Sequence, residues 1–366
     1  KGLYREACVR KNLMWQSEVP RGKGLSNGGS TCYINATLQC LAFLPPLAQH
    51  FLEENYSKKP DQNNNPELKS AAGVGVSTEM ERRGRGQERR KRAQAIISLK
   101  ADVVRPTQLL RNLKLVGPQY RQYIEEDAHE FLRQLLESMA DCCLARSKAK
   151  KKNATNRLDE TTAIHRIFAG YLRSRLKCRC CGYHSDKYEP FLDLSLELAR
   201  GVTTVEGALE AFTSVEHLKG SNKWRCDGCK KLAEAEKNLT VFKPPNALVI
   251  HLKRFAAQGR RLTKIKTHID FRESLVVNAT GPEGRAIYDL TGVVEHSGEG
   301  GRQGHYVAFV KTSAGKWYLA NDARVVQVSK KTVRSSQAYV LFYTRRLRPA
   351  SPSPAPGAPP TSALTP

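Results

Sequence analysis

Residues 24–41 read GLSNGGSTCYINATLQCL, a Gly/Asn/Ser-rich turn that runs into an amphipathic segment with one cysteine at the junction. Ser30 or Thr31 is placed to cap a helix that begins with Cys32 and Tyr33, and Ile34, Leu38 and Leu41 then recur at i, i+4 and i+7 on one face. Pro45 and Pro46 end it. Cys32 therefore starts a helix, where free N–H groups and the positive end of the dipole favour the thiolate, the nucleophilic form. Gly28 and Gly29 let the preceding loop approach a reacting group closely, and Asn27 offers a neutral amide to a developing oxyanion. A lone cysteine is more often a packing residue. The segment predicts a nucleophile only in combination with a base.

Nine histidines are available, and His50, His165, His217 and His268 lie in ordinary surroundings that predict surface or core roles. His305 differs. In GGRQGHYVAFVKTSAGKWYLAND, residues 300–322, it follows a glycine-rich loop and starts a strand, so the imidazole can face a cleft while the strand fixes it. Asn321 and Asp322 come after Trp317, where a returning hairpin strand can set an acceptor beside the ring. A cysteine, a distant histidine and an Asn or Asp follow papain-like logic, although the local CGSCW-type signature is absent.

Around these residues the chain has a readable layout. Helical spacing runs through 93–145, as in Phe131, Leu132, Leu135, Leu136 and Met139, whereas NALVIHLKRF, AIYDLTGVVEHS and HYVAFVKT in the second half read as strands. Helices come first and strands follow. Residues 57–92 are polar and then Gly/Arg-rich, and 348–366 form a Pro/Ser/Ala tail; neither composition builds a core. No internal repeat is present.

Length and charge set limits. With 366 residues and 40% hydrophobic content, the chain is large enough for a catalytic domain with a substantial cleft. Lys and Arg total 60 against 35 acidic residues, a net charge of +25 that favours an acidic partner surface, an anionic membrane or nucleic acid. Much of that excess sits in ERRGRGQERRKR (81–92) and RSKAKKK (146–152), which read as solvated surface; nuclear targeting or RNA contact is the sharper alternative. Neither run contains an aromatic residue for base stacking. No run reaches the roughly 20 apolar residues that span a bilayer. The N-terminal KGLYREACVRKNLMW has no signal-type apolar core, so the ten cysteines are expected in a reduced, intracellular setting, and the initial Lys predicts an excised piece of a longer protein.

Four of the cysteines have ligand spacing. Cys178 and Cys181 form one C-x2-C in CRCCGYHSD, and Cys226 and Cys229 form another in WRCDGC. Two such knuckles predict a closed tetrahedral Zn2+ site, structural rather than catalytic, with Cys180 left over.

These motifs carry a resemblance. GLSNGGSTCYINATLQCL resembles the Cys box of the ubiquitin-specific proteases, EEDAHEFLRQLLESM (125–139) their glutamine/aspartate box, and GHYVAFV with WYLAND and QAYVLFY their His box and closing strands. The likeness runs in order over roughly residues 22–345. It implies an α+β, papain-like cysteine protease with thumb–palm–fingers architecture: an N-terminal extension over 1–20 and a catalytic domain over 21–347. Within that domain it implies a helical thumb at about 21–165 with the basic insertion 57–92, zinc-ribbon fingers at about 166–255, and a β-rich palm made by the remainder.

Carried over position by position, the resemblance makes Cys32 the nucleophile, His305 the general base and Asn27 the oxyanion-hole amide. Asn321 falls on the third triad position and Asp322 on the adjacent acidic one, and the choice between them stays open. Asp127, with Glu126 beside it, is implied to hold the basic ubiquitin tail, and Cys178, Cys181, Cys226 and Cys229 the fingertip zinc, with no catalytic cofactor. Where the family usually reads Asn-Leu-Gly-Asn-Thr-Cys, this chain has Gly28 and Ser30, which removes one packing anchor and exchanges one short polar residue for another. The expected activity is thiol-dependent deubiquitination by a monomer acting on ubiquitin and ubiquitinated proteins, in the nucleus or nucleolus, or the cytoplasm. The alternatives are a ubiquitin-binding homologue without turnover and a zinc-ribbon nucleic-acid module.

Overall fold

A computed structural model describes residues 4–52, 103–146, 159–258, 261–300 and 303–347. The insertion 57–92, the basic run beyond Arg146 and the tail 348–366 lie outside the described residues. Among the described residues no helix is long and apolar enough to cross a membrane.

Helices fill the first half: α1 (Glu6–Lys11), α2 (Cys32–Ala42), α3 (Pro45–Leu52), α4 (Thr107–Arg111), α5 (Leu113–Val116), α6 (Ala128–Arg146) and α7 (Ala163–Phe168). Pro45 is the first residue of α3, where its missing N–H costs nothing. Ile34, Leu38 and Leu41 are buried as their spacing predicts, yet every residue from Cys32 to Leu41 is buried, including Asn35, Thr37 and Gln39. The helix is enclosed by α6 on one side and by sheet strands on the other, so its polar residues must find partners inside. Val9 and Val19 join the same core, which ties the N-terminal stretch to the helical layer.

From residue 170 on, strands dominate. The strands β3 (Gly170–Cys178), β4 (His184–Phe191), β6 (Val215–Leu218) and β9 (Ala235–Lys243) form an antiparallel sheet in the order β4-β3-β9-β6. At its far end the short pair β7 (Trp224–Arg225) and β8 (Leu232–Ala233) carries the second cysteine knuckle.

A larger sheet contains β5 (Leu194–Glu197), β10 (Ala247–Lys253), β13 (Ser274–Asn278), β14 (Arg285–Gly300), β15 (Gln303–Lys311), β16 (Trp317–Asn321), β17 (Arg324–Val328) and β18 (Ala338–Arg345). Its order is β17-β16-β15-β14-β18-β10-β5, with β13 also on β14, while β11 (Phe255–Gln258) and β12 (Arg261–Lys264) form a separate antiparallel pair. Period-two alternation sorts its residues between two cores. The cross-strand partners Val294 and Ala308 face the helical layer, while Val293 and Phe309 face a second core containing Val205 and Ala208 of α8 (Val205–Phe212). The first half of β10, Ala247 to Ile250, is covered on both faces and accordingly apolar without interruption. Just past β10, the Arg254 guanidinium is fully buried and donates to the backbone carbonyls of Ala338, Ile265 and Thr267 at 2.6 to 3.0 Å.

Candidate active site

The loop before α2 is built by one side chain. Asn27 Oδ1 accepts from the backbone N–H groups of Gly29 (3.0 Å) and Thr31 (3.1 Å) and from the Thr31 hydroxyl. Thr31 occupies the N-cap position but makes no capping bond to the helix; its hydroxyl instead accepts from Gly28 N–H. The capping expected of Ser30 or Thr31 is thus replaced by a turn folded around Asn27. Gly29 lies at φ +104°, and a Cβ there would sit 2.3 Å from the Tyr123 ring, so only glycine fits. A Cβ at Gly28 would approach Leu110 Cδ1 to 2.9 Å. The packing anchor missing at position 28 is supplied from the other side by Leu110, which is 6% exposed.

With its acceptor committed to the loop, Asn27 turns its Nδ2 outward and donates to Asp322 Oδ2 at 3.0 Å. The other oxygen of Asp322 accepts from Asn35 Nδ2 at 2.8 Å. Asp322 stands in the two-residue turn between β16 and β17 with φ +47°, a left-handed conformation that short polar residues tolerate. Its carbonyl accepts from Leu25 N–H, in the short parallel pair of β1 (Gly24–Leu25) and β2 (Val103–Val104).

His305 lies near the start of β15, and its Nε2 is 2.8 Å from Asn321 Oδ1 at the end of β16. The contact left open in the sequence is therefore made by Asn321, while Asp322 binds Asn27 and Asn35. Gly304 is pinned as well: its N–H donates to Glu125 Oε2 at 3.2 Å, and a Cβ there would lie 2.2 Å from His296 Nε2.

Cys32 is 3% exposed, and the backbone N–H of Tyr306, the residue after His305, faces its sulfur. Burial pushes the thiol above its ordinary value; the N–H groups of Tyr306 and Tyr33 pull it down, and the charges of Asp322 and Glu125 push it up again. The helix N-terminus does not leave a standing thiolate, contrary to the expectation from sequence, because desolvation outweighs the N–H groups.

Asp127 is engaged from four directions. Its Oδ1 accepts from His129 and Glu130 N–H at 2.9 Å each, which caps α6, and its Oδ2 accepts from the Tyr339 hydroxyl and, at 3.5 Å, from that of Tyr306. Glu126 is half-buried beside it. Sequence reasoning missed Asn35 and Glu125. Asn35 carried a signal, a polar residue one turn from the cysteine inside an apolar helix; Glu125 could have been found only from the doubled acid ahead of Asp127.

A buried thiol at a helix start, an imidazole on a neighbouring strand with an amide acceptor, and a second amide on the preceding loop define the papain-like class of cysteine hydrolases on an α+β thumb–palm–fingers fold. The model of the family "ubiquitin carboxyl-terminal hydrolase" matches residues 23–343, and the chain belongs to that family. It is 38% identical over 335 residues to ubiquitin carboxyl-terminal hydrolase 23 of Arabidopsis thaliana, covering 90% of this chain and 36% of that protein. To the probable ubiquitin carboxyl-terminal hydrolase 16 of Schizosaccharomyces pombe it is 34% identical, covering 92% and 69%. Human ubiquitin carboxyl-terminal hydrolase 42 is 35% identical, and the match spans 91% of this chain but only 24% of that protein. Among solved structures, the SAGA Ubp8/Sgf11/Sus1/Sgf73 DUB module bound to ubiquitin aldehyde aligns with a TM-score of 0.72 at 27% identity, over 89% of this chain and 70% of the other. The SAGA DUB module carrying a substituted Ubp8, bound to monoubiquitin, aligns with a TM-score of 0.72 at 27% identity, over 91% of this chain and 72% of the other.

The four predicted metal ligands come together. The sulfurs of Cys178, Cys181, Cys226 and Cys229 lie within 4.8 Å of one another, and Cys181 and Cys226 are 3.7 Å apart. Zinc–sulfur bonds of about 2.3 Å in a tetrahedron require an edge of about 3.8 Å, so the set fits one Zn2+. Gly228 N–H points at Cys226 Sγ at 3.3 Å; the N–H groups of Cys181 and Cys180 lower the Cys178 thiol while the neighbouring sulfurs raise that of Cys181, as expected of four thiols crowded together. Cys180 is exposed and outside the cluster, as the spacing predicted. Bound there, zinc would close the tip of the β3-β9 sheet and supply no chemistry to the cleft.

Proposed function

We propose that the chain is a cysteine-type deubiquitinase that hydrolyses the isopeptide bond at the C-terminal glycine of ubiquitin. The contact between His305 Nε2 and Asn321 Oδ1 carries this reading. An acceptor at Nε2 keeps the proton there, which leaves Nδ1 as the basic nitrogen for the Cys32 thiol. Since burial holds that thiol protonated, transfer to His305 and attack of Sγ on the glycine carbonyl belong to one event. The imidazolium then protonates the leaving lysine amine. Water, deprotonated by His305, cleaves the thioester and releases the ubiquitin carboxylate.

The oxyanion is met by Asn27. One N–H of its amide is held by Asp322, and the other remains for the substrate oxygen. Asp322 therefore acts on the loop, and Asn321 on the imidazole. Glu126 keeps the proposed contact with the basic ubiquitin tail, while Asp127, saturated by in-chain donors, contributes position more than contact.

The helical layer through α7 serves as the thumb, the four-stranded sheet with β7 and β8 as the zinc-tipped fingers, and the eight-stranded sheet as the palm, which takes in β5 and β10 from the 166–255 span that the resemblance assigns to the fingers. Nuclear or nucleolar residence, a monomeric state and contact of the basic runs with RNA or an acidic surface belong to the same proposal, supported by the net charge of +25.

Incubation with ubiquitin bearing a C-terminal electrophile tests the reading. The parent chain forms a covalent adduct and Cys32→Ala does not. A parent that binds ubiquitin without forming an adduct would overturn turnover in favour of ubiquitin binding alone.

A further inference from the structure

A second polar cluster lies behind the site and none of the proposed steps uses it. His129, at the start of α6, stacks on His251 of β10 with ring centroids 3.7 Å apart and planes 15° from parallel. His129 Nε2 meets Asp193 Oδ2 at 2.8 Å, and that oxygen also accepts from the Ser195 hydroxyl at 3.2 Å. The same hydroxyl lies 2.9 Å from His251 Nδ1. His251 presents its ring to the edge-on face of Tyr339, centroids 5.0 Å apart at 87°. Tyr339 donates its hydroxyl to Asp127, whose other oxygen binds the backbone N–H of His129. The contacts thus close a ring: Asp127, His129, His251, Tyr339 and back to Asp127.

The ring joins three elements of different origin: α6 from the helical layer, β10 and β18 from the large sheet. It reaches the chemistry through Tyr306, whose hydroxyl touches Asp127 and whose backbone N–H faces Cys32. Two imidazoles in van der Waals contact are an unusual choice for packing alone, because a second proton would repel the first. Burial settles the matter for His251, which is pushed down to about 3 and stays neutral, while Asp193, despite its own burial, is held below the usual carboxylate range by the His129 hydrogen bond and by the charges of His129 and Arg133. A hydrogen-bonded network of this kind, largely shielded from solvent, favours one arrangement of the elements it joins.

We infer that His129 and His251 are positioning residues: their stacked rings register the start of α6 against β10 and β18 and, through Asp127 and Tyr306, keep Cys32 aligned with His305. The inference rests on the proposed function and adds to it a reason for the internal saturation of Asp127. Cys32 belongs to the helical layer and His305 to the sheet, so a small slip between the two layers separates nucleophile from base.

The test uses His129→Phe and His251→Phe in the full chain, with kcat and KM measured on ubiquitin carrying a fluorogenic C-terminal amide. Ubiquitin affinity is measured by calorimetry in the Cys32→Ala background. A misplacement on the ångström scale lowers kcat by between about 10- and 100-fold while ubiquitin affinity stays within about twofold. His129→Gln, whose amide can still donate to Asp193, restores most of the rate. If His129→Phe shows no cooperative thermal transition, His251→Phe, which keeps an aromatic edge against Tyr339, carries the same measurement. Unchanged kcat in folded variants overturns the inference, and so does a loss confined to ubiquitin affinity. A parent chain that forms no adduct with the ubiquitin electrophile defeats the proposed function beneath it; a reactive parent with equally reactive variants defeats this inference alone.

Discussion

Asn35 donates its side-chain amide to Asp322 at 2.8 Å across 287 positions of sequence, from inside a buried helix. The bond fixes one oxygen of a carboxylate whose other oxygen holds Asn27. Removing Asp322 takes away one restraint on the amide proposed to meet the oxyanion, and removing Asn35 loosens the carboxylate that supplies it. Asp322→Ala and Asn35→Ala should each lower kcat by roughly 100-fold, the scale for one lost oxyanion donor. The double variant should be little worse than either single one, because all three break one chain of contacts. Additive losses in a steady-state assay would show that the two residues act separately.

Asn321→Ala should leave the Asn27 loop untouched and slow proton transfer alone. The expected signature is a reduced kcat with an altered pH dependence, since the ring loses the acceptor that fixes its tautomer. An unchanged pH–rate profile would argue against the orienting role.

The catalytic loop tolerates side chains unequally. Gly29→Ala combines a left-handed backbone with a contact 2.3 Å from an aromatic ring, and should destabilise by about 1 to 3 kcal/mol in chemical denaturation. Gly28→Ala meets only the flexible end of Leu110, so a cost under about 1 kcal/mol is expected. Equal effects at the two positions would contradict the packing described.

Zinc chelation, or Cys226→Ser, should release one metal ion per chain and raise hydrogen exchange at β7 and β8, leaving the β10 and β18 amides protected. That pattern follows from a closed ligand set at the end of a sheet, packed in a small cluster apart from the two larger cores. Purified protein free of metal would sink the assignment.

Acid should weaken the fold before it reaches the carboxylates. Burial pushes His50 down to about 4, His251 to about 3 and His296 to about 4. Below the ordinary imidazole value the unfolded chain binds protons that the folded chain refuses, so stability falls as pH drops from about 6.5 toward 4. Each buried imidazole contributes on the order of 3 kcal/mol to that loss. Thermal unfolding at pH 8 and pH 5 should show a marked drop in Tm, and His50→Phe, packed among Tyr4 and Phe51, should reduce the difference. An equal drop in that variant would exclude His50 as a source.

The fold was legible where local pattern decides it. Helical spacing gave α2 and α6, alternation gave the central strands, and paired C-x2-C spacing gave the zinc ligands, because each depends on neighbours a few residues apart. Although the pattern did not separate Asn321 from Asp322, Cys32 and His305 were legible as candidates for a related reason: each sits in a short motif whose residue types suit one chemistry. The partners were not. Asp322 binds Asn35 rather than His305 because of a single left-handed residue in a two-residue turn, a detail of backbone that side-chain pattern does not encode. Likewise Glu125 reaches Gly304 across 179 positions, and the stack of His129 on His251 joins two segments that read separately as a helix start and a buried strand. The level of the Cys32 thiol escaped the sequence as well, since burial is a property of the whole enclosure and not of the helix end.

That enclosure has a consequence for how the protein survives between substrates. A thiol that stays protonated and only 3% exposed is a poor target for peroxide and small alkylating agents, which act on accessible thiolates. The proposed nucleophile thus rests in a form on which small oxidants and alkylating agents act slowly.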